Sequence, residues 1–318
     1  MKETDVLRMI IPSVRKVQEL TGHNGAIYAL APGPAPNTFF SAGGDGWIVN
    51  WSLDEKDEKG SLLGRLVAKV DTQVFSIVYI PTTDTVVAGD MNGGIHWLNL
   101  KEERPNRHLS HHKKGAFGFY LFNDELFSIG GGGVITRWDI LRQSSIESLQ
   151  LSSQTLRTVI GLEPQEELLV GSSDHNIYRI GLTDFDLRET VKAAHDSSVF
   201  TMHASTASPG ILYTGGRDAH LRQWFIGNTL TEQAAKPAHW FTINHLIADP
   251  TGTLLFSASR DKTIRIWDSH TFTLRKTLDA ARDGGHVNSV NRLLWLEGTS
   301  YFISASDDRV LILWEVIL

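Results

Sequence analysis

The stretch Leu254-Leu255-Phe256-Ser257-Ala258-Ser259-Arg260-Asp261-Lys262-Thr263-Ile264-Arg265-Ile266-Trp267-Asp268 decides how the chain is read. Its first six residues are apolar or small and suit a strand. Arg260-Asp261-Lys262 is a tight turn. Thr263 to Trp267 then alternates polar and apolar, the period of a second strand. The closing Trp sets a register for the whole chain. Of nine tryptophans, six share that register: Trp51, Trp97, Trp138, Trp224, Trp267 and Trp314. The gap from 138 to 224 is double, and Ile180, ending Asn176-Ile177-Tyr178-Arg179-Ile180, fills its middle. The intervals become 46, 41, 42, 44, 43 and 47, so seven units of about 43 residues cover the chain. A fixed period of this length signals a repeat architecture.

Each unit repeats one grammar. An apolar segment opens it, as in Ile27-Tyr28-Ala29-Leu30 or Val199-Phe200-Thr201-Met202. A second strand, a turn holding Asp and Gly or Lys, and an alternating third strand follow. A more polar fourth strand closes the unit, as in Leu274-Arg275-Lys276-Thr277-Leu278. No amphipathic helix stands out. The expected fold is all-β: a single domain over 1–318, a seven-bladed β-propeller of four-stranded antiparallel blades. Two β-sandwich domains would not hold one register throughout.

Composition fits this reading. The 318 residues are 41% apolar and 21% charged, ordinary for a folded chain. Roughly 150 residues per domain would suggest two domains, but closed all-β folds exceed 200 as one. The formal net charge of −6 argues against non-specific nucleic-acid binding, which needs a basic face. With no cysteine, disulfides, thiolate zinc sites, iron–sulfur clusters and a Cys nucleophile are excluded. The start, Met1-Lys2-Glu3-Thr4-Asp5 followed by a short apolar stretch to Pro12, is too short and acidic for a secretory signal. No run approaches the ~20 apolar residues of a membrane span. A cytoplasmic protein without membrane contact is the expectation.

The units resemble WD40 repeats, whose pattern is Gly-His, a strand, Ser or Thr, Asp four residues later, then Trp-Asp. Blade 1 carries Gly22-His23, Ser41, Asp45 and Trp51. Blade 5 carries His195, Thr214, Asp218 and Trp224. Blade 6 carries His239, Ser257, Asp261 and Trp267. Blade 7 carries Gly285-His286, Ser304, Asp308 and Trp314. His-to-Asp separations are 22, 23, 22 and 22, and Asp-to-Trp is 6 in all four. The resemblance implies that each set forms a hydrogen-bonded chain from Asp to His to Ser or Thr to Trp. A buried imidazole must satisfy both ring nitrogens, and this arrangement does so. The recurring Ser, His and Asp are therefore structural and not catalytic triads.

Three blades depart from the pattern. Blade 2 has Met91 at the Asp slot and Val87 at the hydroxyl slot. Blade 3 has His112, Ser128 and Trp138 but Gly132 for Asp. Blade 4 has Asp174 but Val170 for the hydroxyl, Ile180 for Trp and no aligned His. These blades should lean on apolar packing. The final unit runs out after three strands, while Val14-Arg15-Lys16-Val17-Gln18-Glu19-Leu20 resembles a fourth strand. The N-terminal strand should therefore pair with the C-terminal blade and close the ring.

Other clusters read as ordinary structure. His108, His111 and His112 with Lys113 and Lys114 read as a loop, since neighbouring strand residues face opposite ways. Gly130 to Gly133 has no following helix or Lys-Ser/Thr partner and reads as a turn. Asp54 to Gly60 is a mixed-charge solvated connection. No metal set and no cofactor loop stand out.

One repeat position carries the functional signal. The residue after the first apolar anchor of each inner strand reads Tyr28, Phe75, Phe117, Arg157, Phe200, Asn244 and Asn291. The resemblance places these at the channel mouth on the Gly-His face. Aromatics and arginine are typical interface hot spots. Residues preceding the turn aspartates flank them: Gly44, Asp90, Gly131, Ser173, Arg217, Arg260 and Asp307. Arg217 and Arg260, neighbours in blade order, would suit a carboxylate or phosphate. The aromatics either bind a partner or only plug the channel. The expectation is a non-catalytic scaffold that binds a protein or peptide, as a monomeric ring within a larger complex. The alternatives are a hydrolase- or lyase-type enzyme using the cavity, or a purely architectural subunit.

Overall fold

Each sequence unit folds into one antiparallel four-stranded sheet, giving seven sheets. The computed structural model describes residues 13–101 and 104–317; the segment read above as no secretory signal lies outside them. Blade 1 shows the plan, running from an inner strand (Ile27–Pro32) through Thr38–Gly43 and Trp47–Lys56 to an outer strand (Leu62–Lys69). Neighbouring inner strands touch around a ring, and the last (Val290–Trp295) packs against the first.

Burial explains the composition of each strand. Second strands such as Leu254–Ser259 are buried at every residue, because adjacent blades cover both faces. That is why Leu254 to Ser259 reads as a continuous apolar and small run. Outer strands such as Leu62–Lys69 are mostly exposed and correspondingly polar. The repeated tryptophans fill the gaps between blades. Trp51 stacks on Phe39 with centroids 6.2 Å apart, and Trp314 on Phe302 at 6.1 Å.

The ring closes through the N-terminal strand. Ser13–Leu20 pairs antiparallel with Leu311–Ile317, from Ser13 opposite Ile317 to Leu20 opposite Leu311. Val14 and Leu20 are buried in the clusters on either side of the seam. The strand thus covers an edge that would otherwise be unpaired.

Two local readings need correction. The strand Trp47–Lys56 runs into the mixed-charge segment and pairs Lys56 with Leu62, so only its tip is a turn. His108 is not in a loop. It lies on the outer strand of blade 2 (Arg107–Ser110), opposite His96.

Among the described residues the one α-helix is Ala280–Asp283, capped by the Asp279 side chain. No described helix is long and apolar enough to cross a membrane.

Candidate functional site

The site rests on a rigid frame, and that frame is the set of four tetrads. In blade 1, the Trp51 indole N–H donates to Ser41 Oγ at 2.8 Å, and Ser41 Oγ lies 2.8 Å from His23 Nε2. His23 Nδ1 lies 2.9 Å from Asp45 Oδ2. Since the hydroxyl oxygen already accepts from the indole, its own proton goes to Nε2. The imidazole is then the Nδ1–H tautomer and donates to the carboxylate. The same chain joins Trp224, Thr214, His195 and Asp218, then Trp267, Ser257, His239 and Asp261, then Trp314, Ser304, His286 and Asp308.

Burial alone would raise the pKa of Asp218, but hydrogen bonds from His195 and from the His220 and Asp196 amides hold it at about 2. Ser41, Thr214, Ser257 and Ser304 have no exposed surface. A hydroxyl sealed between an indole and an imidazole cannot reach a substrate. These sets work as braces.

The irregular blades solve the same problem differently. In blade 3, His112 and Trp138 both bond to Ser128, at 2.7 and 2.8 Å. With no carboxylate, burial and the neighbouring His111 pull the His112 pKa down to about 3. In blade 4, Ser152 stands 22 residues before Asp174 and donates its hydroxyl to it, and Tyr178 donates its own at 2.5 Å. The 22-residue separation was a signal for Ser152 that attention to histidine alone passes over. In blade 2, Trp97 stays buried but its indole N–H has no hydrogen-bond partner, because Val87 replaces the hydroxyl.

On this frame sits a ring built by one backbone device. In all seven blades the pairing of the inner and second strands slips by one residue, between Ile27 and Ala29 and at the equivalent step in every other blade. The extra residues are Tyr28, Phe75, Phe117, Arg157, Phe200, Asn244 and Asn291. A β-bulge re-aims a side chain out of the normal alternation. Here seven bulges surround a cavity of about 160 Å³, lined by these residues and Arg292.

The ring members touch in sequence. Tyr28 meets Phe75 edge-on with centroids 5.4 Å apart, and Phe75 stacks on Phe117 at 5.4 Å. The Arg157 guanidinium sits between Phe117 and Phe200, 4.9 and 5.1 Å from their centroids. Its Nε donates to Ser173 Oγ at 2.8 Å. Asn244 donates to the Val290 carbonyl at 2.8 Å, and Asn291 to the Ile27 carbonyl at 2.9 Å and to Asp307 at 2.8 Å. The two asparagines thus link blades 6, 7 and 1 through backbone. All seven ring residues are half-buried.

The electrostatics are uneven. Burial and then the charge of Arg217 lower the Arg157 pKa, so these two cations share one side of the mouth. Arg217 and Arg260 are exposed. On the opposite side, burial and then Asp307 raise the Tyr28 pKa. Arg292 was not anticipated. It follows the bulge residue in blade 7, where the other blades carry Ala29, Ser76, Gly118, Thr158, Thr201 and His245. Reading the next repeat position would have found it. Burial pulls its pKa down to about 10, which leaves it charged at neutral pH.

Asp90 does not flank the mouth as its repeat position suggested. It is 4% exposed and turned into its own blade, where it accepts from the Asn92 and Gly94 amides. A larger cleft of about 640 Å³ lies at the far ends of the blade 4 and blade 5 inner strands. It gathers no repeated residue set.

Comparison with known proteins agrees with this geometry. The family model for the WD domain, G-beta repeat, matches residues 14–52, 231–268 and 273–315. Protein tipD of Dictyostelium discoideum is 23% identical over 310 residues, covering 96% of this chain and 49% of that protein. Transducin beta-like protein 3 of Mus musculus is 30% identical over 186 residues, covering 56% of this chain and 22% of its own. The chain therefore spans half or less of these relatives. Among solved structures, the WD40 β-propeller domain of Doa1 superposes with a TM-score of 0.81 at 16% identity, covering 96% of this chain and 97% of that domain. The chain thus contains WD40 repeats at both ends of its sequence and folds as a seven-bladed propeller, four of whose blades carry the Asp–His–Ser/Thr–Trp chain.

Proposed function

We propose that this propeller is a non-catalytic interaction module that receives a protein segment at the channel mouth. The observation that carries the reading is the bulge: one repeat position, re-aimed in every blade, supplies four aromatics and an arginine to one cavity. About 160 Å³ is well below the roughly 300 Å³ at which small-molecule pockets begin, and it suits an inserted side chain. Arg292 lines the cavity, Arg157 lines it too from its place between Phe117 and Phe200, and Arg217 adds charge near Arg157. These favour a segment whose inserted residue is anionic. The ring would act in the cytoplasm as a monomer within a larger complex.

Partner capture from the native host tests this with three baits: the full chain, Tyr28→Ala and Arg157→Ala. A stoichiometric partner held by the wild type and lost from both variants, at unchanged thermal stability, supports the reading. Variants that keep both stability and capture overturn it.

A further inference from the structure

Blade 2 has the least regular frame, and its polar residues serve something other than a tetrad. Asp90 stands one residue before the turn slot, which Met91 occupies. Its Oδ1 is fixed by the Asn92 and Gly94 amides, each at 2.8 Å. Its Oδ2 lies 2.8 Å from His96 Nε2. Across the sheet His96 pairs directly with His108, and their rings are 4.5 Å apart at 30°. One Asp90 oxygen and one ring nitrogen from each histidine all lie within 4.8 Å of one another.

Gly94 is the second observation. A Cβ at this position would stand 2.5 Å from Asp90 Oδ2 and 2.6 Å from His108 Nε2. Any other residue would fill the space toward which the donors point. The glycine keeps it clear.

We propose that Asp90, His96 and His108 form a binding site for a divalent transition-metal ion of the Zn²⁺ type. Two imidazoles and a carboxylate are a donor set for such ions and a poor one for Mg²⁺ or Ca²⁺, which take oxygen ligands. Ligands at ~2.0–2.2 Å from a tetrahedral ion stand roughly 3.3 Å apart, so Asp90 Oδ2 and His96 Nε2, now 2.8 Å apart, must open slightly while His108 draws in. His108, exposed on an outer strand, is the member able to move. The backbone amides on Asp90 Oδ1 orient its carboxylate, as outer partners commonly do for ligating groups. Binding takes the place of the hydrogen bond between His96 Nε2 and Asp90 Oδ2. The neutral His96 ring binds as its Nδ1–H tautomer: its one ring proton moves from Nε2 to Nδ1, and Nε2 offers its lone pair to the ion. Three protein donors leave one coordination position for water or for a side chain of a bound protein. The site lies at the end of the ring that carries the Gly-His loops, on the outer side of blade 2.

Titration of the full chain with Co²⁺, followed by displacement with Zn²⁺, tests this. The expected result is one Co²⁺ per chain with visible absorption bands that disappear on adding Zn²⁺. His108→Ala should weaken binding roughly tenfold or more while leaving the melting temperature unchanged, since its side chain is exposed. Asp90→Asn should weaken it as well. His111→Ala should bind as the wild type does, because His111 is engaged with Thr136 at 2.7 Å. Absence of saturable binding by the wild type would overturn the proposal. So would equal affinity in His108→Ala, or loss on His111→Ala instead.

Discussion

Replacing Asp261 with alanine tests whether the blades are braced as described. The carboxylate accepts from His239 Nδ1 at 2.9 Å, from the Trp240 amide at 3.1 Å, and from the Thr263 amide and hydroxyl at 3.0 and 2.6 Å. The Trp240 amide is exposed and can turn to water. The imidazole cannot, because the His239 side chain has no exposed surface. Orphaning a buried donor costs about 1–3 kcal/mol, and uncapping the Thr263 amide adds about 1 kcal/mol. Thr263 Oγ1, 3.3 Å from His239 Nδ1, recovers part of this. The expected loss at pH 7 is therefore about 2–3 kcal/mol, read from denaturant unfolding at matched slope. Asp261→Asn keeps an acceptor for the imidazole and should lose less.

The pH dependence gives an independent check. Burial would raise the Asp261 pKa, but hydrogen bonds from His239, Thr263 and the Trp240 amide outweigh it and hold the group well below the usual carboxylate range. A depressed carboxylate stabilises the fold above its unfolded pKa, and this is lost only as pH falls through the folded value. The gap between wild type and Asp261→Ala should thus persist down to pH 4 and narrow below it. A change under about 0.5 kcal/mol at pH 7, within the range of ordinary surface substitutions, would refute the brace.

Three further outcomes follow from the same geometry. A chain starting at Gly22 loses the strand that seals Leu311–Ile317 and should aggregate or melt well below the full chain; a monomer with an unchanged melting temperature would contradict the closure. Burial holds the His203 pKa near 4 and His112 near 3, so the unfolded chain binds more protons between those values and about pH 6.5. Stability should therefore fall as pH drops below about 6.5, by up to ~1.4 kcal/mol per pH unit per histidine. His203→Leu, which also removes a buried nitrogen without a partner, should flatten that slope, and an identical slope would count against it. Trp97→Phe gives up no hydrogen bond, whereas Trp138→Phe breaks the bond to Ser128. The second should cost about 1 kcal/mol more than the first in paired unfolding curves, and equal costs would be wrong for this structure.

The number of blades, the tetrads and the ring position were legible in sequence because each depends on local spacing. A strand pair and its turn have fixed lengths, so His23, Ser41, Asp45 and Trp51 recur at the intervals that let them meet, and the same intervals reappear up to Trp314. The N-terminal closure was legible for the same reason: Val14 to Leu20 carries the pattern of an outer strand. What local spacing cannot express is where neighbouring chains bring side chains together. Tyr28 and its counterparts share a repeat position, but only the one-residue slip of each inner strand aims them into a common cavity. Arg292 faces that cavity because the slip also re-aims the residue after it. Asp90 sits one step from the turn slot, and whether it faces the mouth or its own blade depends on which amides it caps. His96 and His108 are twelve positions apart, and only the pairing of the third and outer strands of blade 2 sets them against Asp90. Sequence therefore settled the repeat and its braces, which are short-range matters of length and alternation. Register, bulges and cross-strand pairing, set by long-range packing, decided what the ring and blade 2 present to a ligand.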